Sequence, residues 1–468
     1  MPTEFDLVVI GSGTGGYVAA IRAAQLGLHV AVVERAGTLG GTCLNWGCIP
    51  TKALLEHAHA FSIAKHASQW GVTVGDGAVG IDMQQVQSRK DGIVAGLTKG
   101  VEFLFKKNGV ELVHGQGRLA SPNEVVVRGP EGDERRIETR HVLIATGSVP
   151  REVAIAPTDG ERVVNSDHIL ELPRVPESLV VVGSGAVGSE FSSIFASFGS
   201  QVTLVEMLPR ILPLEDEEVS AELEKAFRKR GITSLTEARL TGVEAAGDRL
   251  VVGIEGEKAP ERLETDMLLV AIGRAPVTEG LGLEEAGVAL DSRGYIEVSP
   301  LMQTTAGGVY AIGDVVATPW LAHVASAEGI LAVEQMAGEE VRPLDYDQVP
   351  SVTYCEPEVG SVGLSEAEAR DRGYDVAVGK FPFSASGKAA IEGKTQGFVK
   401  VVRETRYDQL LGVHIIGPKA TDLIAEACVA LRVEATTEEL FRTIHAHPTL
   451  SEAMAEAAHA AVGQAIHI

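Results

Sequence analysis

Apolar and polar positions fall into blocks that recur along the chain. The apolar run Leu7–Ile10 leads into Gly11, Gly13 and Gly16, then a stretch with helical spacing, then a second apolar run closing on Glu34. Short apolar runs punctuated by glycine predict buried parallel strands, and the 3.6-residue period between them predicts a helix, so the segment is a β–α–β unit. From Ser178 the pattern returns with Gly183, Gly185, Gly188 and Glu206, and in both copies the acid follows the first glycine by 23 residues. A second echo relates "VLIATGSVP", residues 142–150, to "LLVAIGRAP", residues 268–276; each predicts a strand that leaves a sheet and turns at glycine and proline. A further apolar strand, "GVYAIGDV", closes on Asp314. Beyond "VRPLDYDQVPSVTY" the pattern shifts to strands such as "GFVKVVRE" and "QLLGVHIIG", followed by Ala-rich helices without a glycine fingerprint.

The glycine spacing has a physical purpose. The first glycine permits a tight turn, the second lets a pyrophosphate approach the backbone at a helix N-terminus, and the third lets helix pack on strand. The closing carboxylate accepts hydrogen bonds from a ribose diol and repels a 2′-phosphate. One such loop is weak evidence; two complete copies in one chain predict two dinucleotide sites.

Size and charge narrow the picture further. With 468 residues the chain has room for several domains with separate cores, and 45% hydrophobic content is ordinary for a globular protein. No apolar run approaches the roughly 18 residues of a membrane span, and the acidic start "MPTEFDLVVIGSG" lacks the features of a signal or transit peptide, so a cytoplasmic location is expected. A formal charge of −24 argues against nucleic-acid binding, which needs clustered cations.

Four cysteines remain to be explained. Cys355 and Cys428 stand alone and are expected to be small core residues. Cys43 and Cys48 lie five residues apart in "GGTCLNWGCIPTK". Zinc would need further ligands, and no second CxxC or nearby CxxH exists, so no metal is expected. Inert core thiols remain an open reading of this segment in isolation, and two dinucleotide sites favour a redox pair. Such a pair makes a geometric demand. Five residues of ideal helix rise about 7.5 Å, whereas a disulfide needs Cα atoms within about 7 Å. A distorted turn is therefore expected around Asn45 and Gly47, with regular helix from near Pro50. Near the C-terminus, "HAHPTLSEA" places His447 before a proline and Glu452 in the first turns of a helix, which suits a surface histidine beside a helix start as well as a base oriented by a carboxylate, for which His445 is a weaker second candidate.

Together these motifs resemble the pyridine nucleotide–disulfide oxidoreductases over essentially the whole chain, and most closely the members that oxidise dihydrolipoamide for 2-oxo acid dehydrogenase complexes. The resemblance implies an α/β fold with two Rossmann-like domains, an FAD-binding one (1–150) and an NAD-binding one (151–275). A central part (276–345) continues the FAD side, and an α+β interface domain (346–468) makes a homodimer. It implies FAD on Gly11, Gly13, Gly16, Glu34, Gly41, Thr42, Gly117, Thr146, Gly147, Ser148 and Asp314, with Lys52 near the flavin N5. It implies NAD on Gly183, Gly185, Gly188, Glu206 and Gly273, with Glu190 as the partner of Lys52. Cys43 is then the interchange thiol, Cys48 the thiol facing the flavin, and His447 the base, oriented by Glu452 and supplied by the other subunit. The implied partners are dihydrolipoamide or a lipoyl domain and the acyltransferase core of such a complex.

Two residues depart from the family pattern: Trp46 replaces a small aliphatic residue and Thr51 a serine. Glutathione-type reductases share the cysteines and the histidine but usually run on NADP, and "EMLPRILP" offers only Arg210 to a 2′-phosphate. The tail "GQAIHI" lacks the vicinal cysteines of a mercuric reductase. A soluble transhydrogenase would not need Cys48, and a scaffold subunit would not need the cysteine pair and the histidine together.

Overall fold

The computed structural model describes residues 4–75 and 79–468 and divides them into two compact units. The first comprises residues up to Ala53, Gln84–Arg151 and Arg274–Tyr346; the second comprises Leu54–Met83, Glu152–Gly273 and Asp347–Ile468.

The first unit is built on a sheet whose parallel strands run, in spatial order, Glu111–His114, Val30–Glu34, Phe5–Ile10, Glu134–Ile144 and Val309–Ala311. The central strands Phe5–Ile10 and Val30–Glu34 and the end of Glu134–Ile144 are almost continuously apolar because both faces are covered, and Leu7, Val8, Val9, Val32 and Leu143 have no measurable exposure. Phe5–Ile10 has neighbours on both sides, so the loop after Ile10 opens at the point where strand order reverses, the usual ligand crevice of an open α/β sheet. The strand Glu134–Ile144 serves two layers: its first half pairs antiparallel with Glu124–Arg128, and its second half joins the parallel sheet.

The second unit repeats this design with a parallel sheet in the order Thr233–Leu235, Gln201–Val205, Ser178–Val182, Met267–Val270 and Val163–Val164. A second sheet of this unit is antiparallel, ordered Ser351–Thr353, Glu358–Gly363, Leu410–Gly417, Phe398–Glu404 and Val376–Pro382, with the helices Ala420–Arg432 and Glu452–Ala461 packed against it. The predicted strands "GFVKVVRE" and "QLLGVHIIG" and the Ala-rich helices are therefore present. Within this unit the buried Lys400 ammonium is held by Asp216 at 3.0 Å, Glu218 at 2.9 Å and Glu366 at 3.1 Å. That arrangement satisfies a charge which would be costly to bury alone.

The two echoing segments do more than turn. Ser148–Pro150 and Arg274–Pro276 pair antiparallel with each other, Arg274 opposite Pro150. No described helix is long and apolar enough to cross a membrane.

Candidate functional site

Both glycine loops fit a dinucleotide on steric grounds. A Cβ on Gly11 would lie 2.4 Å from the Ala145 carbonyl oxygen, and one on Gly16 2.1 Å from the Gly11 oxygen, whereas Gly13 faces open space. The second loop behaves alike: a Cβ on Gly183 would lie 2.3 Å from the Ala271 oxygen and one on Gly188 1.8 Å from the Gly183 oxygen, with Gly185 open. In both loops the outer glycines close strand on helix, and the middle one leaves the approach free. The acids are equally matched. Glu34 accepts from Ser12 N at 2.8 Å, Ser12 Oγ at 2.6 Å and Ala36 N at 2.7 Å. Glu206 accepts from Ser184 N at 2.9 Å, Ser184 Oγ at 2.7 Å and Leu208 N at 2.9 Å. Each carboxylate is thereby fixed at the end of its strand.

The cysteine segment is built onto the first loop. Gly40 N–H donates to the Ser12 carbonyl at 3.0 Å, and a Cβ on Gly41 would come 2.6 Å from the Gly13 Cα. A short helix, Gly41–Asn45, carries Cys43; it breaks at Trp46, whose φ and ψ are −144° and 32°, and a second helix, Cys48–Lys65, begins at once. The distortion demanded by the five-residue spacing thus falls at Trp46, and regular helix starts two residues earlier than Pro50. Asn45 holds the break by donating to Leu39 O at 2.9 Å and Gly41 O at 3.0 Å, and the Thr51 hydroxyl donates to Gly47 O at 2.6 Å.

Cys43 and Cys48 are both partly accessible thiols, in hydrogen-bond contact with each other. That contact is the main reason the Cys43 thiol ionises at about 7 rather than 9; burial opposes the shift, while the Thr14 hydroxyl and the Lys52 charge add to it. Burial raises the Tyr17 phenol, and an anionic Cys43 raises it further. Alkylation of the reduced protein by iodoacetamide is accordingly expected to accelerate with rising pH about a midpoint near 7, because the thiolate is the reactive form. Lys52→Met moves the midpoint upward, and a wild-type midpoint near 9 refutes the contact. Cys355 is buried, and its thiol is pushed up by burial and then by Glu190. Cys428 packs against the C-terminal core.

A third group closes around the first unit's crossover ribbon. Ser148 Oγ donates to Asp314 Oδ2 at 2.5 Å, and Arg274 donates to Ser148 Oγ at 2.7 Å and to Ser148 O at 2.8 Å, with Thr42 Oγ1 at 3.5 Å. Burial raises the Asp314 carboxyl despite the Ser148 hydroxyl and the Arg274 charge. Thr146 donates to Val277 O at 2.7 Å, and Gly147, at φ +70°, makes the turn. Gly117 lies on the strand Gln116–Ser121, where a Cβ would press on Val33 and Ile10. Arg274 was not among the residues expected from sequence. The signal was available, since Arg274 occupies in one echo the place that Ser148 occupies in the other.

In the second unit Glu190 lies buried on the helix Ala186–Phe198 and accepts the Tyr354 N–H at 3.0 Å. Gly273, at φ +107°, ends the strand segment before the ribbon. The two histidines are distinct. His445 uses both ring nitrogens, on Thr443 O at 2.9 Å and Glu426 at 2.7 Å. His447, 80% exposed, uses only Nδ1, on Glu452 at 2.8 Å, among the described residues. Burial opposes ionisation of Glu452 more than any other single influence, yet the Thr449 N–H and His447 together hold it below the usual carboxylate range.

The chain belongs to the pyridine nucleotide-disulphide oxidoreductase family, whose profile matches residues 5–329 and whose dimerisation-domain profile matches residues 349–458. Members of the family use FAD and NAD. Among its relatives, the dihydrolipoyl dehydrogenase of Thermus scotoductus is 48% identical over 467 residues, covering 99% of each chain. That of Bacillus subtilis is 45% identical over 480 residues, spanning the whole of both. The solved structure of LpdA from Mycobacterium tuberculosis superposes with a TM-score of 0.90 at 28% identity, over 97% of this chain and 99% of that one.

Proposed function

We propose that the protein oxidises the dithiol of dihydrolipoamide, free or on a lipoyl domain, to lipoamide and reduces NAD to NADH. The observation that carries this reading is the accessible Cys43–Cys48 contact on a segment hydrogen-bonded to a dinucleotide loop. Full-length similarity to relatives named dihydrolipoyl dehydrogenase supports the substrate.

In this reading residues 1–150 and 276–345 hold FAD, residues 151–275 hold NAD, and residues 346–468 form the interface. Gly11, Gly13, Gly16, Glu34, Gly41, Thr42, Gly117, Thr146, Gly147, Ser148 and Asp314 line the first site, with Lys52 beside the flavin ring. Gly183, Gly185, Gly188, Glu190, Glu206 and Gly273 line the second. Bound FAD supplies the two-electron relay between the cysteine dithiol and the nicotinamide.

The chain's own residues carry the exchange. His447 Nε2, in a second copy of the chain, takes a proton from one substrate thiol while Glu452 fixes the ring through Nδ1. The resulting thiolate attacks Cys43 Sγ of the oxidised pair; the Cys43–Cys48 bond breaks and Cys48 leaves as a thiolate. The second substrate thiol then displaces Cys43, closing the lipoamide disulfide. A Cys43 thiol ionising near 7 is a good leaving group for that step. Overall, dihydrolipoamide and NAD⁺ become lipoamide, NADH and one proton.

A homodimer follows from the same assignment. A groove of about 620 Å³ between Val429, Val433, Leu440 and Ile444 exposes apolar surface that a second copy would cover. The natural source of the dithiol is a lipoyl group on the acyltransferase core of a 2-oxo acid dehydrogenase complex.

Steady-state assays crossing NAD and NADP with dihydrolipoamide and glutathione disulfide test the proposal. NAD is expected to exceed NADP by ~10²-fold or more, because a fixed carboxylate meeting a phosphate costs several kcal/mol. Faster reduction of glutathione disulfide with NADPH than oxidation of dihydrolipoamide with NAD would sink it.

A further inference from the structure

The helix Ala186–Phe198 presents Glu190, Ser193 and Ser197 at spacings of three and four, which places them on one face. Across that face runs the segment Tyr354–Glu356. Glu190 Oε1 accepts the Tyr354 N–H at 3.0 Å, and Ser193 Oγ accepts the Glu356 N–H at 3.0 Å. Arg230, at the end of the helix Glu217–Lys229, fastens both partners. Its Nη1 donates to Ser193 Oγ at 2.8 Å and to Glu356 O at 2.7 Å, and its Nη2 to Ser193 O at 3.0 Å and Ser197 Oγ at 2.8 Å. None of these acceptors is a carboxylate. A guanidinium spent on hydroxyls and main-chain oxygens fixes geometry through its rigid fork rather than through charge pairing.

We propose that Arg230 is a positioning residue for Glu190: by clamping Glu356 to Ser193 and Ser197 it holds the Tyr354 N–H where the Glu190 carboxylate needs it. The inference rests on the reading in which Glu190 serves the nicotinamide side of the reaction. Glu190 lies two residues beyond Gly188, whose contact with Gly183 sets where the helix begins. A carboxylate at that depth has few ways to be held, and one of them is a backbone donor from a segment that Arg230 ties down at its other end. Removing the guanidinium leaves Ser193 Oγ and Glu356 O without it, so the segment loosens and Glu190 loses a fixed donor. Cys355, the middle residue of that segment, is buried and its thiol donates to Pro357 O at 3.2 Å, which anchors the segment independently, so the expected change is local.

The test uses the holoenzyme with Arg230→Ala, Arg230→Lys, Ser193→Ala and Glu190→Gln. Amide hydrogen exchange at Tyr354 and Glu356 is expected to quicken about tenfold in Arg230→Ala, the scale of one lost charge-assisted hydrogen bond. Exchange in the strands Ser178–Val182 and Gln201–Val205 stays unchanged. In single-turnover measurements the half-reaction with NADH slows by a similar factor while that with dihydrolipoamide does not, and Arg230→Lys recovers part of the loss. Should Arg230→Ala fail to fold, Ser193→Ala carries the same expectations. Unchanged Tyr354 exchange, or equal slowing of both half-reactions with faster exchange throughout, overturns the clamp. If Glu190→Gln leaves the NADH half-reaction untouched while Tyr354 exchange still responds to Arg230, the assignment of Glu190 fails and the positioning role falls with it.

Discussion

Cys48→Ser is expected to lower dihydrolipoamide oxidation by more than about 10³-fold while the protein still purifies with its flavin, since removing one member of a catalytic unit costs about as much as removing the unit. Without Sγ at position 48 no bond to Cys43 exists to be broken, so the incoming thiolate has no leaving group. The serine hydroxyl is nearly isosteric and sits at a helix start, where it suits the backbone. Stability should therefore change little. Thermal unfolding and the visible spectrum separate loss of chemistry from loss of fold. Substantial turnover in the variant would remove the disulfide from the mechanism. Cys428→Ser serves as the control: that thiol packs against the C-terminal core and should leave turnover unchanged.

His447→Ala should cost ~10²–10⁴-fold in the rate of dithiol oxidation, or about 3–5 kcal/mol of transition-state stabilisation. His445→Ala should cost much less, because both nitrogens of His445 are engaged by Thr443 and Glu426 and neither is available to a substrate. Glu452→Gln should fall between the two, since an amide can still orient the ring but does not stabilise an imidazolium. Because the loss concerns proton removal, raising the pH toward the ionisation of the substrate thiol should restore part of the activity of His447→Ala. A variant that is as active as wild type, with His445→Ala inactive, reverses the assignment.

What could be read from sequence depended on whether a residue's role is local. The glycine loops were legible because their spacing is local to one β–α–β unit, where the third glycine closes on the first, as Gly188 does against Gly183 and Gly16 against Gly11. The need for a break between the cysteines was legible from chain geometry alone. Its place was legible too, since Trp46 lies between Asn45 and Gly47; the early restart of helix at Cys48 was not. Arg274 escaped notice for a different reason: its bonds to Ser148 join residues 126 positions apart through strand pairing. The bond from His445 Nε2 to Glu426, which reaches it from a separate helix, was likewise invisible to spacing. Sequence spacing reveals contacts of order one helical turn, and misses those created by topology.

The paired strands Ser148–Pro150 and Arg274–Pro276 have a consequence for how such a chain can change. They bring the exit and re-entry points of residues 152–273 to adjacent positions in a single antiparallel ribbon. The surrounding unit therefore experiences that long excursion as though it were a hairpin, and the closure entropy depends little on what lies inside it. Exchange of the intervening piece for a fold of different nucleotide preference then has two requirements, ends that meet the same ribbon and replacements for the bonds that Asp216, Glu218 and Arg230 make to residues 347–468.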